Sequence, residues 1–225
     1  KKIDVSEGQL IKNETVLETI RKYLNVREEE KKLFGEVFTP VELVCEMLDT
    51  LPKDVLKNPK LKWLDPANGI GNYPVVAYYK LMEGLKDVKG YEDKDKRSKH
   101  IIENMLFMVE LNPINCKVCK KIFKMINNEA TPNIYNKDFL VWSETTTMKF
   151  DVIMGNPPYQ GSGRKKIYID FVENMFKFKI INSRGYLLLI TPKLIINYLL
   201  GIEILQKRLS YFYDLVYINS DNKIR

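Results

Sequence analysis

Cysteine and histidine are nearly missing from this chain: 225 residues hold three Cys and one His. Three cysteines are too few, and odd in number, for a disulfide framework. Cys116 and Cys119 form a C-x-x-C, but a zinc site needs two further ligands and His100 stands in a polar stretch, so no metal centre is expected. Long hydrophobic runs are lacking as well. No window approaches the roughly 20 apolar residues of a membrane span, and residues 1–20 show neither the apolar run nor the small-residue cleavage site of a secretory signal. A membrane partner is therefore not expected. With Lys1 in first place, the sequence reads as a segment of a longer cytoplasmic chain.

The formal net charge is +7, with 45% hydrophobic and 29% charged residues, the balance of an ordinary globular protein rather than a disordered or fibrous one. Acidic side chains outnumber basic ones in residues 1–50, so the basic excess lies entirely in residues 51–225. Such an excess fits a polyanionic partner such as nucleic acid, and equally fits plain solubility.

Residues 5–30 are polar with scattered Leu, Ile and Val and read as one or two surface helices. Thr39-Pro40-Val41-Glu42 has the form of a capping box, with Thr39 as cap, Pro40 in the first helical position and Glu42 in the third. In the helix that follows, Val41, Val44, Cys45, Leu48 and Leu51 share one stripe, which makes Cys45 a core residue rather than a nucleophile. Further on, apolar strand-like runs at 62–65, 105–111, 133–139, 150–155, 185–191 and 214–219 alternate with helical patterns at 75–82, 113–126, 168–178 and 194–209. This alternation predicts an α/β fold with a mostly parallel sheet and helices on both faces. The polar stretch 83–104 reads as a surface excursion.

The first βα turn is Asp65-Pro66-Ala67-Asn68-Gly69-Ile70-Gly71-Asn72-Tyr73-Pro74. Glycines two apart between a strand and a helix let backbone approach a ligand at the strand's carboxyl end, where the helix N-terminus favours an anion. A tight turn without a ligand is the plainer alternative. An acid at the end of the next strand would sit beside a bound ribose, and Glu110, followed by Asn112 and Pro113 as a helix start, supplies one. Asp138, ending the strand after that, could accept from an adenine amino group while Phe139 packs on the ring; Asp138 also suits a simple turn. In the helix at 113–126 the stripe of Val118, Cys119, Ile122 and Ile126 assigns Cys119 to packing.

The sharpest signal is an apolar strand, residues 150–155, running straight into Asn156-Pro157-Pro158-Tyr159. Two prolines cannot continue a ladder, and they fix an irregular backbone. The Asn156 side-chain oxygen and the Pro157 carbonyl can then point at one amino group while Tyr159 offers a flat face. An exocyclic amine is a poor nucleophile because its lone pair is delocalised into the ring. Two acceptors on its hydrogens favour the pyramidal, nucleophilic form without a general base or a metal.

These motifs, in this order, resemble the catalytic domain of adenine-specific, amino-methylating DNA methyltransferases of restriction-modification systems, in the gamma arrangement, over residues 34–219. The resemblance implies a Rossmann-like class I S-adenosylmethionine-dependent methyltransferase fold for residues 34–225, preceded by a helical lead-in at 1–33. It implies that Phe38, Thr39 and Pro40 hold the methionine part of S-adenosylmethionine, and that Asp65, Pro66, Ala67, Asn68, Gly69, Gly71 and Tyr73 form its loop. By the same resemblance Glu110 and Leu111 would take the ribose, and Asp138 and Phe139 the adenine. Asp170, within Tyr168-Ile169-Asp170-Phe171, would line the cofactor pocket. Asn156, Pro157, Pro158 and Tyr159 would hold the target base, with Asn156 also bordering the cofactor, and residues 185–192 resemble the family's next strand.

The implied reaction is methyl transfer to the N6 amino group of an adenine flipped out of double-stranded DNA, at a flipping cost of a few kcal/mol. The family also leads one to expect a reversed strand, a further base-pocket motif and a recognition domain, which places sequence specificity, or a fused nuclease, elsewhere in the parent chain. Asn68 departs from the small residues frequent at its position.

Two readings outside the motifs stay open. Residues 160–166, two glycines among three positive charges, either close over the flipped nucleotide and meet its phosphates or form a solvated loop. Asn-Pro-Pro-Tyr also serves planar amides and bases in other settings, so methylation of RNA adenine or of glutamine, and a non-catalytic DNA-binding module retaining the fold, are the competing functions.

Overall fold

Three short apolar runs, Trp63-Leu64, Leu106 to Val109 and Val152 to Met154, have no polar face to offer water, and each becomes a central strand buried on both sides. The structure, a computed structural model, describes residues 39–159, 166–192 and 195. Its strands are β1 (Trp63–Asp65), β2 (Leu106–Glu110), β3 (Asn133–Asn136), β4 (Phe150–Gly155) and β5 (Ile181–Leu189), all parallel, in the order β3-β2-β1-β4-β5. The helices are α1 (Val41–Asp49), α2 (Asn72–Gly84), α3 (Lys94–His100), α4 (Pro113–Ile126), α5 (Phe139–Thr145) and α6 (Ile167–Lys177). The sheet belongs to the first of two compact units, Lys1–Ile190; the second is Thr191–Arg225. No helix among the described residues is long and apolar enough to cross a membrane.

The chain moves outward from β1 to β2 and β3, then returns to lay β4 on the other side of β1. Right-handed crossovers therefore put α2 and α4 on one face and α6 on the other. The packing agrees: α1 lies on α2, and α5 lies on α6. On the α5–α6 face, Leu64, Phe107, Val109 and Ile153 meet Phe139, Trp142, Phe171 and Met175 in one apolar cluster, each such side chain contributing roughly 1.5–3 kcal/mol on burial. Alternation along the strands turns Trp63, Asp65, Met108 and Glu110 to the opposite face, where α4 packs through Cys119. The parallel fold with helices on both faces is thus the one the alternating pattern predicts.

Several local expectations are corrected. Thr39 does not cap α1: the helix begins at Val41, Pro40 occupies the cap position, and no side chain caps it. The Thr39 hydroxyl is used elsewhere, as described below. Cys45 is half-buried rather than part of the core, while Val44, Leu48 and Leu51 are buried. The polar stretch 83–104 contains α3, capped by Asp93 and packed inward through Arg97 and Ser98. Arg97 fits there because its guanidinium donates to the Tyr91 and Glu92 carbonyls. The strand predicted to reach residue 139 stops at Asn136, and Phe139 opens a helix not expected from the sequence. At β5 the regular ladder starts at Tyr186, close to the expected position; Ile181 pairs with Phe150 ahead of a bulge that carries Arg184 at φ 64°. The helices expected at 5–30 and 194–209, the strand at 214–219, residue Phe38 and the loop at 160–165 lie outside the described residues.

One buried charge supports the α1–α2 pair. Lys80, 1% exposed, donates to the half-exposed Asp49 carboxylate at 2.6 Å, so the ammonium is compensated where it leaves water.

Candidate active site

β1 and β4 are neighbours whose chain connections run in opposite directions, and the crevice beyond their carboxyl ends is where an open parallel sheet admits a ligand. Asp65 ends β1 there, fully buried. Its Oδ1 accepts from the Ala67 amide at 3.1 Å, whereas Oδ2 is buried with no hydrogen-bond partner. Burial drives its carboxyl well above the usual carboxylate range, and the Glu110 charge adds to the rise.

After Asp65 the loop needs glycine twice. Gly69 and Gly71 sit at φ 57° and 105°, in the left-handed region that side chains with a Cβ avoid. A Cβ on Gly71 would also come within 2.8 Å of Cys119 Sγ. α2 then starts at Asn72 with no side-chain cap, leaving the amides of its first turn outside the helical ladder, and Pro74 fits because a first-turn residue needs no N–H.

Glu110 closes the loop from the β2 side. One carboxylate oxygen accepts from the Gly69 amide at 2.7 Å; the other accepts from the Asn112 amide at 2.8 Å and from the Asn115 side chain at 3.4 Å. The predicted ribose acid therefore braces the glycine-rich loop against the start of α4. Next to it Leu111 is 68% exposed, a large apolar side chain in solvent beside a polar loop. Asn136 of β3 holds this turn by donating to the Glu110 and Leu111 carbonyls at 2.9 and 2.8 Å.

β4 delivers Asn156 beside this loop. A Cβ on Gly155 would be 2.8 Å from Asp65 Oδ1 and 3.4 Å from the Pro66 ring, so the bare backbone lets the two strand ends touch. Asn156 Nδ2 donates to Thr39 Oγ1 at 3.3 Å, and Asn72 Nδ2 donates to the Thr39 carbonyl at 2.8 Å. The beginning of the described chain, the first turn of α2 and the end of β4 thus meet at Thr39. Pro157 is buried, while Pro158 and Tyr159 are half-buried. The Tyr159 ring stands edge-on to Tyr168 at 6.2 Å, and burial raises its phenol above the usual value. Tyr73 lies buried under the same corner, its phenol pushed up strongly by desolvation and by the nearby Asp65 and Tyr159.

The remaining sequence-predicted residues fall as follows. Pro66 is buried and Asn68 is 4% exposed, with its Oδ1 facing Cys119 Sγ at 3.9 Å. Pro40 is exposed, and Ala67 packs on the core cluster. Asp138 caps α5 by accepting from the Leu140 amide at 2.9 Å, and Phe139 is sunk in the core with its ring 4.8 Å from Phe171. Asp170 is half-buried in the first turn of α6, whose Tyr168, Phe171, Val172 and Met175 stripe is buried. An open recess of about 610 Å³ lined by Lys60, Lys62, Lys149, Asp151 and Asn182 lies at the opposite, amino end of β1 and β4.

Three members of this corner were not singled out from the sequence: Gly155, Asn72 and Met47. Gly155 was legible as the one residue without a side chain between a core strand and Asn156. Asn72 was legible as a polar residue in a helix otherwise buried nearly all round. Met47, which sits against Tyr73, has no signal beyond an ordinary helix stripe.

Comparison with known proteins gives a consistent picture. Residues 91–222 match the family described as Eco57I restriction-modification methylase. An uncharacterized adenine-specific methylase of Mycoplasma pneumoniae is 29% identical over 61% of this chain and 51% of its own length. The type II methyltransferase M.VspI of a Vibrio species is 26% identical over 72% of this chain and 38% of its own. Among solved structures, a modification subunit assigned to a type I restriction enzyme of Vibrio vulnificus superposes with a TM-score of 0.52 at 22% identity, covering 84% of this chain and 41% of that one. The chain spans about half the length of the first of these relatives and less of the others.

Proposed function

Since the chain belongs to the Eco57I restriction-modification methylase family, we propose that it transfers a methyl group from S-adenosylmethionine to the N6 amino group of adenine in double-stranded DNA. The observation that carries this reading is the contact of the two strand ends. Gly155 against Asp65 brings Asn156-Pro157-Pro158-Tyr159 beside a glycine-rich loop, so an amino-group acceptor and a nucleotide cradle share one crevice.

The residues present fit the cofactor. Asp65 Oδ2 is a buried acceptor in need of a donor, the start of α2 carries no side-chain cap, and Leu111 exposes apolar surface beside Glu110. Asp65, the Gly69–Gly71 loop, Glu110 and Leu111 would hold it, with Thr39, Pro40 and Asp170 at its borders. Bound there, it supplies an electrophilic methyl group on a sulfonium. Asn156 Oδ1 and the Pro157 carbonyl accept the two amino hydrogens of the base and draw its lone pair out of the ring, while half-buried Tyr159 stacks on the base and keeps water away. The basic excess of residues 51–225 supports a polyanionic substrate. Asp138, at the start of α5 just beyond the end of β3, would border the adenine, whereas Phe139, sunk in the core against Phe171, would not stack on it.

The test is incubation of the chain and its Asn156→Ala variant with methyl-labelled cofactor and separate pools of unmethylated duplex DNA, RNA and protein, with products hydrolysed and identified by mass. Labelled N6-methyladenine should arise from DNA, and the variant should lose about two to three orders of magnitude in turnover. Label in RNA or glutamine instead, or equal turnover in the variant, would overturn the proposal.

A further inference from the structure

The open recess of about 610 Å³ at the amino end of β1 and β4 lies apart from the crevice described above. Lys60, Lys62 and Lys149 line it, together with Thr147, Asn182 and a single acid, Asp151. That acid is already engaged: Asp151 Oδ2 accepts from the Lys62 amide at 2.8 Å, and Oδ1 accepts from the Asn182 side chain at 2.7 Å. All three lysines are exposed, and among the described residues no ion pair engages their ammonium groups. Lys62 Nζ stands instead over the Phe107 ring, 5.8 Å from its centre. The recess is therefore a concave, positively charged surface whose one carboxylate is bonded to its own wall.

Two further cations extend this surface. Among the described residues, the non-glycine positions with left-handed backbone are Lys179 and Arg184, at φ 55° and 64°. Lys179 occupies the turn that ends α6, where glycine is the usual residue, and Arg184 the bulge of β5. Both are exposed, and both flank the recess. The Ile180 carbonyl, next to Lys179, accepts from the Phe150 amide at 2.8 Å, beside Lys149. A Cβ on Gly185, next to Arg184, would stand 3.1 Å from the Asp151 carbonyl. Positive side chains thus stand at two positions whose backbone favours no side chain at all.

We propose that this amino-end surface binds the phosphate backbone of a second stretch of duplex DNA, separately from the crevice at the carboxyl end. Lysine is the only cation lining the recess, a point charge that suits a phosphate oxygen, whereas a carboxylate partner is better met by the paired N–H groups of arginine. The lining residues carry no ring on which a base or nucleoside could stack, so the recess reads phosphate alone. Lys179 and Arg184 carry the positive charge beyond its rim, which fits an extended anion rather than a small one. β4 has six residues between the recess and Asn156, a separation of about 20 Å at roughly 3.3 Å per residue. The two surfaces therefore stand at opposite poles of the sheet.

The test compares the chain with a double variant, Lys60→Gln with Lys149→Gln, and with a control of equal charge loss on the exposed side of α4, Lys120→Gln with Lys121→Gln. Binding of a duplex made only of G·C pairs, which offers no adenine to the crevice, is measured over a series of salt concentrations. The slope of log affinity against log salt should fall by about two in the recess variant, near one per lost lysine, and stay unchanged in the control. In the parent, amide NMR shifts of Lys62, Asp151 and Asn182 should move on adding inorganic tripolyphosphate, and move less on adding hexaglutamate at the same ionic strength. All of these substitutions are of exposed side chains, so the variants keep the fold.

An equal fall in slope for both variants would reduce the effect to net charge and overturn the proposal. So would hexaglutamate shifts as large as those of tripolyphosphate, which would assign the surface to an acidic protein segment, or no shift with either probe. Tripolyphosphate shifts with an unchanged duplex slope would leave a site for small polyphosphates and remove the DNA backbone from it. Methyl transfer is not read in any of these measurements, so their outcome stands apart from that of the proposed reaction.

Discussion

Gly155 and Asp65 touch because neither backbone nor side chain leaves room for more: a Cβ on residue 155 would stand 2.8 Å from Asp65 Oδ1, inside the closest approach that carbon and oxygen tolerate. The contact sits at the junction of the glycine-rich loop and the Asn156 turn. Gly155→Ala therefore has to push the end of β4 away from β1. Overpacking of this kind costs about 1–3 kcal/mol of stability, while displacing Asn156 by about an ångström should lower turnover by roughly a hundredfold. Urea unfolding and single-turnover methylation measure the two losses. A variant of native rate would show that the crevice tolerates the shift and that the strand-end contact does not position Asn156.

Much of this architecture was legible because its causes are local. The runs at Trp63-Leu64 and at 106–109 and 152–154 have no polar alternation, which announces strands buried on both faces. Gly69 and Gly71, between a strand and a helix, announce a loop whose backbone must turn left. The misreadings have a common origin in long-range partners. Thr39 has the local form of a helix cap, yet its hydroxyl is claimed by Asn156, 117 positions away. Arg97 looks like a solvent residue in a polar stretch until the Tyr91 and Glu92 carbonyls turn out to surround it. Phe139 follows a strand and reads as its end, but tertiary burial against Phe171 makes it the first residue of a helix. In the site itself residue types were readable and hydrogen-bond roles were not: Glu110 stands where an acid is predicted, and its brace on Gly69 shows only in three dimensions.

Asp65 imposes a pH dependence on folding. Its buried carboxyl titrates well above the ordinary value of 3.8, so in the native state it keeps a proton that the unfolded chain has already lost. Native proton binding exceeds that of the unfolded state throughout the interval, and stability must fall as pH rises from about 4 up to the folded pKa. Asp65→Asn has nearly the same shape and no charge to bury, so it removes this slope. The variant should gain stability relative to the parent as pH is raised from 4.5 to 8, measured by urea unfolding without cofactor. A constant difference across that range would show that Asp65 is not held protonated. Cofactor affinity should move the opposite way if Oδ2 is the acceptor that the ligand requires.

The Glu110 carboxylate has two duties that one substitution can tell apart. It accepts from the Gly69 amide at 2.7 Å and from the Asn112 amide at 2.8 Å before any ligand arrives. Glu110→Gln preserves the shape but replaces one acceptor by an NH2, which then faces a backbone N–H donor. A charge-assisted bond is lost and a donor is left opposed, so about 1.5–3 kcal/mol of stability should disappear in the absence of cofactor. Since the loop that Gly69 anchors would also hold the ribose, cofactor affinity should fall at least about tenfold in the same variant. The two effects carry different information. Loss of affinity at unchanged stability would mean that Glu110 serves the ligand alone and that the brace contributes nothing. Loss of stability at unchanged affinity would remove Glu110 from the proposed ribose site and leave it as the clamp between β2 and the glycine-rich loop. Both losses together are expected, because one carboxylate with two oxygens faces a loop that must be rigid before it can be a cradle.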